Sequence, residues 1–213
     1  MESIKEIIKT LEKEYPDAKT ELNFDRKYPF QLVVCVILSA QATDAGVNKL
    51  TPKLFEKYKD VEDFANVDLE DLLLFTKSIN FYKGKTQRII QNAKYLLENY
   101  NGVLPKTISE LIKLPGIGRK SANVILQEVY GIGEGIVVDT HMVRVSKRLG
   151  LQDIEKFKDP VKVETALMGV IPKESYTSFS RRIVLHGRYV CKARKPLCEK
   201  CILNKICPSA FKV

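Results

Sequence analysis

Leu114-Pro115-Gly116-Ile117-Gly118-Arg119-Lys120-Ser121-Ala122-Asn123 decides how the rest of this chain is read. The run Thr107 to Leu114 is amphipathic, and Thr107-Ile-Ser-Glu110 has the spacing of a capping box that opens a helix. Arg119 to Tyr130 reads as a second helix. Pro-Gly-Ile-Gly between them leaves room only for a tight hairpin. Glycine reaches turn angles closed to other residues and lets a foreign backbone come close. Amides of Gly116 and Gly118, with the N-terminus of the following helix, can converge on one anion, and a phosphate is the natural guest. The same spacing also suits a plain packing corner between two helices.

Outward from the hairpin, the chain reads as helix after helix. Ser3 to Glu6 has capping-box spacing, for a helix ending before Pro16. A charged, turn-rich linker leads to Phe30–Ala40, an apolar run whose β-branched content suits a strand but whose length favours a buried helix. Helices are expected from Thr43 or Asp44 to Tyr58, over Val61–Ala65 and Leu69–Lys77, and, after a break at Ser78–Tyr82, over Lys83–Tyr100. Beyond the hairpin lies a glycine-rich turn, Gly131 to Gly135. Asp139 then caps a helix to Leu149, Asp159-Pro160 opens one ending near Pro172, and a last one spans Lys173–Val190. The fold class expected is all-α.

The chain has 213 residues, 45% of them hydrophobic, which is ample for a core and argues against wholesale disorder. No apolar run approaches the ~20 residues of a membrane span. No signal-peptide centre follows Met1, so an intracellular protein is expected. The net charge of +9 favours a polyanionic partner, or is simply solvated surface charge.

Four of the five cysteines crowd the C-terminus as Cys191-x6-Cys198-x2-Cys201-x5-Cys207. A disulfide scaffold would scatter them through a small secreted chain, so this is a metal pattern. Four soft ligands suit Zn²⁺ or an iron–sulfur cluster, and spacing does not choose between them. Cys35 sits in the apolar run and reads as core. Lys192, Arg194 and Lys195 lie between the first two cysteines, where a metal-fixed loop would hold them toward phosphates. His141 and His186 read as structural. Arg144, Lys147 and Arg148 read as a basic helix face or as solvated cations.

Lys120 and Asp139 have complementary chemistry. An amine attacks only when neutral, and an ordinary lysine is almost wholly protonated at neutral pH. A helix N-terminus disfavours the ammonium by only about 0.3–1 kcal/mol, so closure over a substrate must supply the remaining desolvation. Asp139, at a helix N-cap, stays ionised and can take a proton or stabilise positive charge on a sugar ring. Alternatively, Lys120 is a solvated side chain and Asp139 a simple cap.

Leu-Pro-Gly-Ile-Gly-Arg-Lys-Ser-Ala-Asn resembles the helix–hairpin–helix of the endonuclease III family of DNA repair glycosylases. Val138-Asp139-Thr140-His141 is similar to that family's catalytic aspartate segment, and the likeness runs from about Ile4 to Cys207. The resemblance implies a six-helix domain at residues 23–134 carrying the hairpin. A second helical domain, from residues 1–22 and 135–213, would carry a C-terminal [4Fe–4S] cluster. Its active site would lie in the cleft between them, with Lys120 and Asp139 on facing walls. It implies duplex DNA with damaged bases or abasic sites as partner, a monomer, and no membrane. Cys191, Cys198, Cys201 and Cys207 would ligate the cluster. Gly116, Gly118, Arg119, Lys192, Arg194 and Lys195 would contact DNA.

By the same resemblance, Gln41 fills the space of a base rotated out of the stack. Phe81 stands where the family commonly has a leucine wedge, and Tyr82 is the alternative inserting residue. The expected activity is removal of oxidised pyrimidines with strand cleavage through a Lys120 Schiff base. The competing expectations are a relative acting on mismatched thymine, uracil or another lesion, a non-catalytic DNA-binding module, and an iron–sulfur electron carrier.

Overall fold

The computed structural model describes residues 2–151 and 154–213, and no strand occurs among the described residues. The chain divides into two compact units, Thr20–Tyr130 and Met1–Lys19 with Gly131–Val213.

The Thr20–Tyr130 unit begins with helix α2, Phe30–Ser39, in which every residue from Phe30 to Leu38 is buried. A helix apolar on all faces belongs in a core, whatever its β-branched content. The remaining helices are α3 (Asp44–Lys57), α4 (Val61–Asn66), α5 (Leu69–Thr76), α6 (Tyr82–Tyr100), α7 (Ile108–Leu111) and α8 (Arg119–Ile125). Their starts follow from side-chain caps, which satisfy amides that have no partner within the helix. Thr43 accepts from Gly46 N at 3.0 Å, Asp60 and Asp63 form a reciprocal capping box, and Asp68 accepts from Glu70 N at 2.8 Å. The long α6 packs on α2, α4 and α5, burying Ile89, Ala93 and Leu96.

Around the hairpin the expected helices are cut short. Thr107 caps as expected, accepting from Glu110 N at 3.3 Å, but α7 is a single turn. Pro115 disfavours helical angles at the residue before it, and the chain reaches Leu114 by turns. The helix expected over Arg119–Tyr130 is α-helical only to Ile125, then widens to a π-helix over Leu126–Tyr130.

The other unit holds α1 (Glu2–Glu14), α9 (Thr140–Arg148), α10 (Pro160–Met168) and α11 (Tyr176–Tyr189). Because α1 already includes Ser3, that residue is not the cap its spacing suggested. α10 ends at Met168, and α11 begins at Tyr176 after a 3₁₀ turn over Lys173–Ser175. One apolar core joins Ile7 and Leu11 of α1 to Met142, Val145, Phe179, Ile183 and Leu203. Cys191, Cys201 and Cys207 pack at its edge.

Candidate active site and cluster site

Three features of the Thr20–Tyr130 unit concern the hairpin. Gly116 has φ +80°, a left-handed conformation natural to glycine. A β-carbon there would also lie 2.7 Å from Cδ of Arg88, so residue 116 has no room for one. Gly118 is different: its φ is −91°, and nothing lies within 4 Å of where a β-carbon would stand. The fold itself does not demand glycine at 118. Gly118 also forms the N-cap of α8 and makes no side-chain cap hydrogen bond. Arg119 and Lys120 follow directly, both exposed. Asn92, fully buried on α6, donates through Nδ2 to the carbonyls of Arg88 and Pro115, each at 2.7 Å. That bifurcated amide ties the hairpin to the long helix.

A second locus is a concavity lined by Ala40, Gln41, Phe81, Tyr82, Lys83, Gly84, Lys85 and Arg88. Gln41 and Phe81 both hold left-handed backbone, with φ of 56° and 58°. Phe81 is 71% exposed, whereas Tyr82 is half-buried in the first turn of α6. Lys85 is buried and donates to Leu38 O at 2.8 Å, closing the C-terminal end of α2. Burial pulls its pKa below the usual lysine range.

In the other unit, Asp139 is the N-cap of α9, its Oδ1 accepting from Met142 N at 2.8 Å. One and two turns on, Arg144 and Arg148 are neither a free basic face nor solvated cations. Arg144 donates to the carbonyls of Gly187 (2.8 Å) and Cys191 (3.1 Å), and Arg148 to those of Lys192 (2.7 Å) and Ala193 (3.1 Å). Both therefore hold the cysteine loop onto the helix that Asp139 opens. Their i, i+4 spacing was visible in the sequence; their carbonyl partners were not.

Cys191, Cys198, Cys201 and Cys207 line one cavity with His186, Val145 and Leu149. None of the four is in a disulfide. Burial, then the proximity of the other thiols, pushes the pKa of Cys201 and Cys207 up, so this ring of sulfurs needs added cationic charge to ionise together. Arg148 Nη1 lies 3.4 Å from Cys191 Sγ. The four cysteines line this one cavity, and a set of four soft thiol donors fits an iron–sulfur cluster. His186 is structural: buried, it bonds Tyr15 Oη at 3.1 Å and approaches Cys201 Sγ at 3.5 Å. Lys192, Arg194 and Lys195 are all exposed on the loop between Cys191 and Cys198.

Comparison with known proteins bears on the whole chain. Residues 34–173 match the model of the HhH-GPD superfamily base excision DNA repair proteins. Residues 191–207, which begin and end on a cysteine of the ring, match the iron–sulfur binding domain of endonuclease III. Endonuclease III of Bacillus subtilis is 46% identical over 194 residues, covering 91% of this chain and 86% of that one. A solved non-covalent endonuclease III–DNA complex superposes with a TM-score of 0.89 at 42% identity, covering 99% of this chain and 96% of that one. A trapped endonuclease III–DNA covalent intermediate, its estranged-adenine complex, gives 0.89 and 42%, covering 99% and 97%. The chain belongs to the endonuclease III family within the HhH-GPD superfamily of base excision DNA repair proteins. Its cofactor is a [4Fe–4S] cluster.

Proposed function

We propose that this chain, a base excision repair DNA glycosylase and AP lyase by family, removes oxidised pyrimidines from duplex DNA and cleaves the strand through Lys120. The observation that carries this reading is the exposed Lys120 two residues after Gly118, where glycine is demanded by neither strain nor space within the chain. A glycine kept bare toward solvent suits close approach of a foreign backbone, and the helix start behind it, which Gly118 does not cap with a side chain, suits a phosphate. Gly116 and Arg119 complete that grip.

In the proposed reaction, a damaged base is rotated out of the stack. Gln41 occupies the vacated space, and Phe81, more exposed than Tyr82, is the wedge. The neutral Lys120 amine attacks C1′ of the deoxyribose while the C1′–N bond breaks and the base leaves with the electron pair. Asp139 takes the proton released from the amine and stabilises positive charge on the sugar. The ring opens to a Schiff base between Lys120 and C1′. Loss of a C2′ proton then expels the 3′-phosphate by β-elimination. Lys120 is exposed in the free chain, so the desolvation that favours its neutral form comes from the DNA covering it.

Cys191, Cys198, Cys201 and Cys207 are the proposed cluster ligands. The cluster supplies fixed thiolate–iron bonds that hold the loop in shape. Lys192, Arg194 and Lys195 on that loop face phosphates. The domain boundaries proposed from the resemblance, 23 and 134/135, lie within a few residues of the limits of the compact units at Thr20 and Tyr130. Among the described residues no helix is long and apolar enough to cross a membrane. The protein is proposed to act as a monomer inside the cell, in the cytoplasm in association with the nucleoid, or in the nucleus or mitochondrion of a eukaryote.

The deciding experiment is a panel of duplexes, each with one lesion, assayed for base release and strand cleavage. Oxidised pyrimidines should be released fastest, with cleavage coupled to release. Preferred release of mismatched thymine or uracil would reassign the substrate. Binding to abasic DNA without either activity would leave a non-catalytic module.

A further inference from the structure

Arg88 stands where the hairpin and the wedge concavity meet. Its side chain lines the concavity beside Gln41, Phe81 and Tyr82. Its Cδ and Nε lie 2.7 and 3.3 Å from where a β-carbon on residue 116 would sit, so its stem crosses the bare face of Gly116. Its carbonyl shares the buried Asn92 amide with Pro115, fixing this turn of α6 to the hairpin backbone. Yet among the described residues the Arg88 guanidinium has no ion-pair or hydrogen-bond partner, although the side chain is exposed and held at its base. The concavity it enters is lined by Lys83, Lys85 and Arg88 and by no carboxylate.

An arginine whose stem is already ordered loses less side-chain freedom when it binds. A concave surface whose charged lining residues are all cations attracts an anion, and a planar guanidinium matches the oxygens of a phosphodiester. We propose that Arg88 is a duplex-backbone contact, seated by Gly116 and Asn92 so that its guanidinium grips a phosphodiester between the hairpin and the Gln41–Phe81 edge. This inference rests on the reading of the hairpin as a DNA grip. It adds a residue to that grip and gives Gly116 a second role, as the seat for the Arg88 stem.

The test is the salt dependence of binding to a duplex carrying a tetrahydrofuran abasic analogue, for the full-length holoprotein. Neutralising one phosphate contributes about 0.9 to the slope of log K against log salt. Arg88→Ala should lower the slope by about that amount, so the wild-type advantage should shrink by about 3.5-fold between 50 and 200 mM salt. Arg88→Lys, which keeps the charge, should retain the slope. An unchanged slope in Arg88→Ala overturns the proposal, even if affinity falls, because that pattern marks a disturbed hairpin and not a lost phosphate contact. Arg88→Lys behaving like Arg88→Ala also overturns it. If the wild-type protein shows no preference for the abasic duplex, the hairpin reading falls and this inference with it.

Discussion

Gln41, which follows α2, and Phe81, which precedes α6, line one concavity, and each holds left-handed backbone. Glycine would be comfortable at either position, and a non-glycine residue there costs about 1–3 kcal/mol. Two such residues at one edge are better explained by what their side chains do than by what the fold requires. Phe81 is exposed, so its side chain adds little to the core.

Stability and binding should therefore move in opposite directions at Phe81. Phe81→Gly removes the left-handed penalty and should raise thermal stability by up to about 1 kcal/mol. It should also weaken binding to lesion-containing duplex by about 1–3 kcal/mol, the range for stacking of an aromatic on a base. Phe81→Leu should keep most of the binding. Thermal melts and titrations of the same variants check this; a Phe81→Gly protein that binds as well as wild type would remove Phe81 from the interface.

Borohydride reduction should trap a covalent adduct between the wild-type chain and lesion-containing DNA, because a Schiff base is reducible to a stable amine. Lys120→Met should abolish trapping while leaving the helical circular dichroism intact, since Lys120 is exposed. Normal trapping by this variant would assign the Schiff base to another amine.

Asp139 has two duties, which two substitutions separate. Asn can still accept from Met142 N, so Asp139→Asn should preserve α9 and stability. It loses the carboxylate, and base release should slow by about 10²–10⁴-fold, the usual scale of a positioned acid–base group. Asp139→Ala should show the same loss plus about 1 kcal/mol of destabilisation from the missing cap. Equal stability of the two variants would show that the cap contributes nothing.

Loss of the cluster should act on binding before it acts on the fold of the Thr20–Tyr130 unit. Cys198→Ser should reduce iron content and the brown visible absorbance, and should free the Lys192–Lys195 loop. Duplex affinity should fall and the salt slope should flatten, as exposed cations lose their fixed positions. Stoichiometric zinc without iron in the purified wild-type protein would refute the cluster.

Cys35 gives a pH signature independent of DNA. Burial, and secondarily the charge of Asp44, pushes its thiol from 9.0 up to about 12. The folded state thus holds the proton more tightly than the unfolded state does. The stability tied to this proton is complete below about pH 9 and is lost as pH rises toward 12, at about 1.4 kcal/mol per unit. Cys35→Ala should flatten that part of the alkaline stability curve, measured by denaturant titration at several pH values. An identical slope would mean that the thiol is already open to solvent.

The order of helices was readable because caps and apolar spacing are local. Thr43, Thr107, Asp139 and Asp159 all accept amide hydrogen bonds at the helix starts their positions suggested. The errors were also local in kind. Ser3 has cap spacing but lies inside α1. The approach to the hairpin is one helical turn because Pro115 acts on the residue before it. The π-turn over Leu126–Tyr130 has no periodic signal of its own, since one changed hydrogen-bond register leaves the apolar pattern nearly intact.

The sequence alone determined the helical class, the hairpin with Lys120 behind it, Asp139 at a helix start and the four-cysteine cluster motif. Each of these is a short run whose chemistry depends on neighbours along the chain. Tertiary structure alone decided which distant side chains support them. Arg88 meets Gly116 because Asn92 binds both strands of backbone, and Arg144 and Arg148 grip the loop that starts at Cys191. The acceptors in these contacts are backbone carbonyls, which every residue carries, so no residue type announces them before the chain has folded.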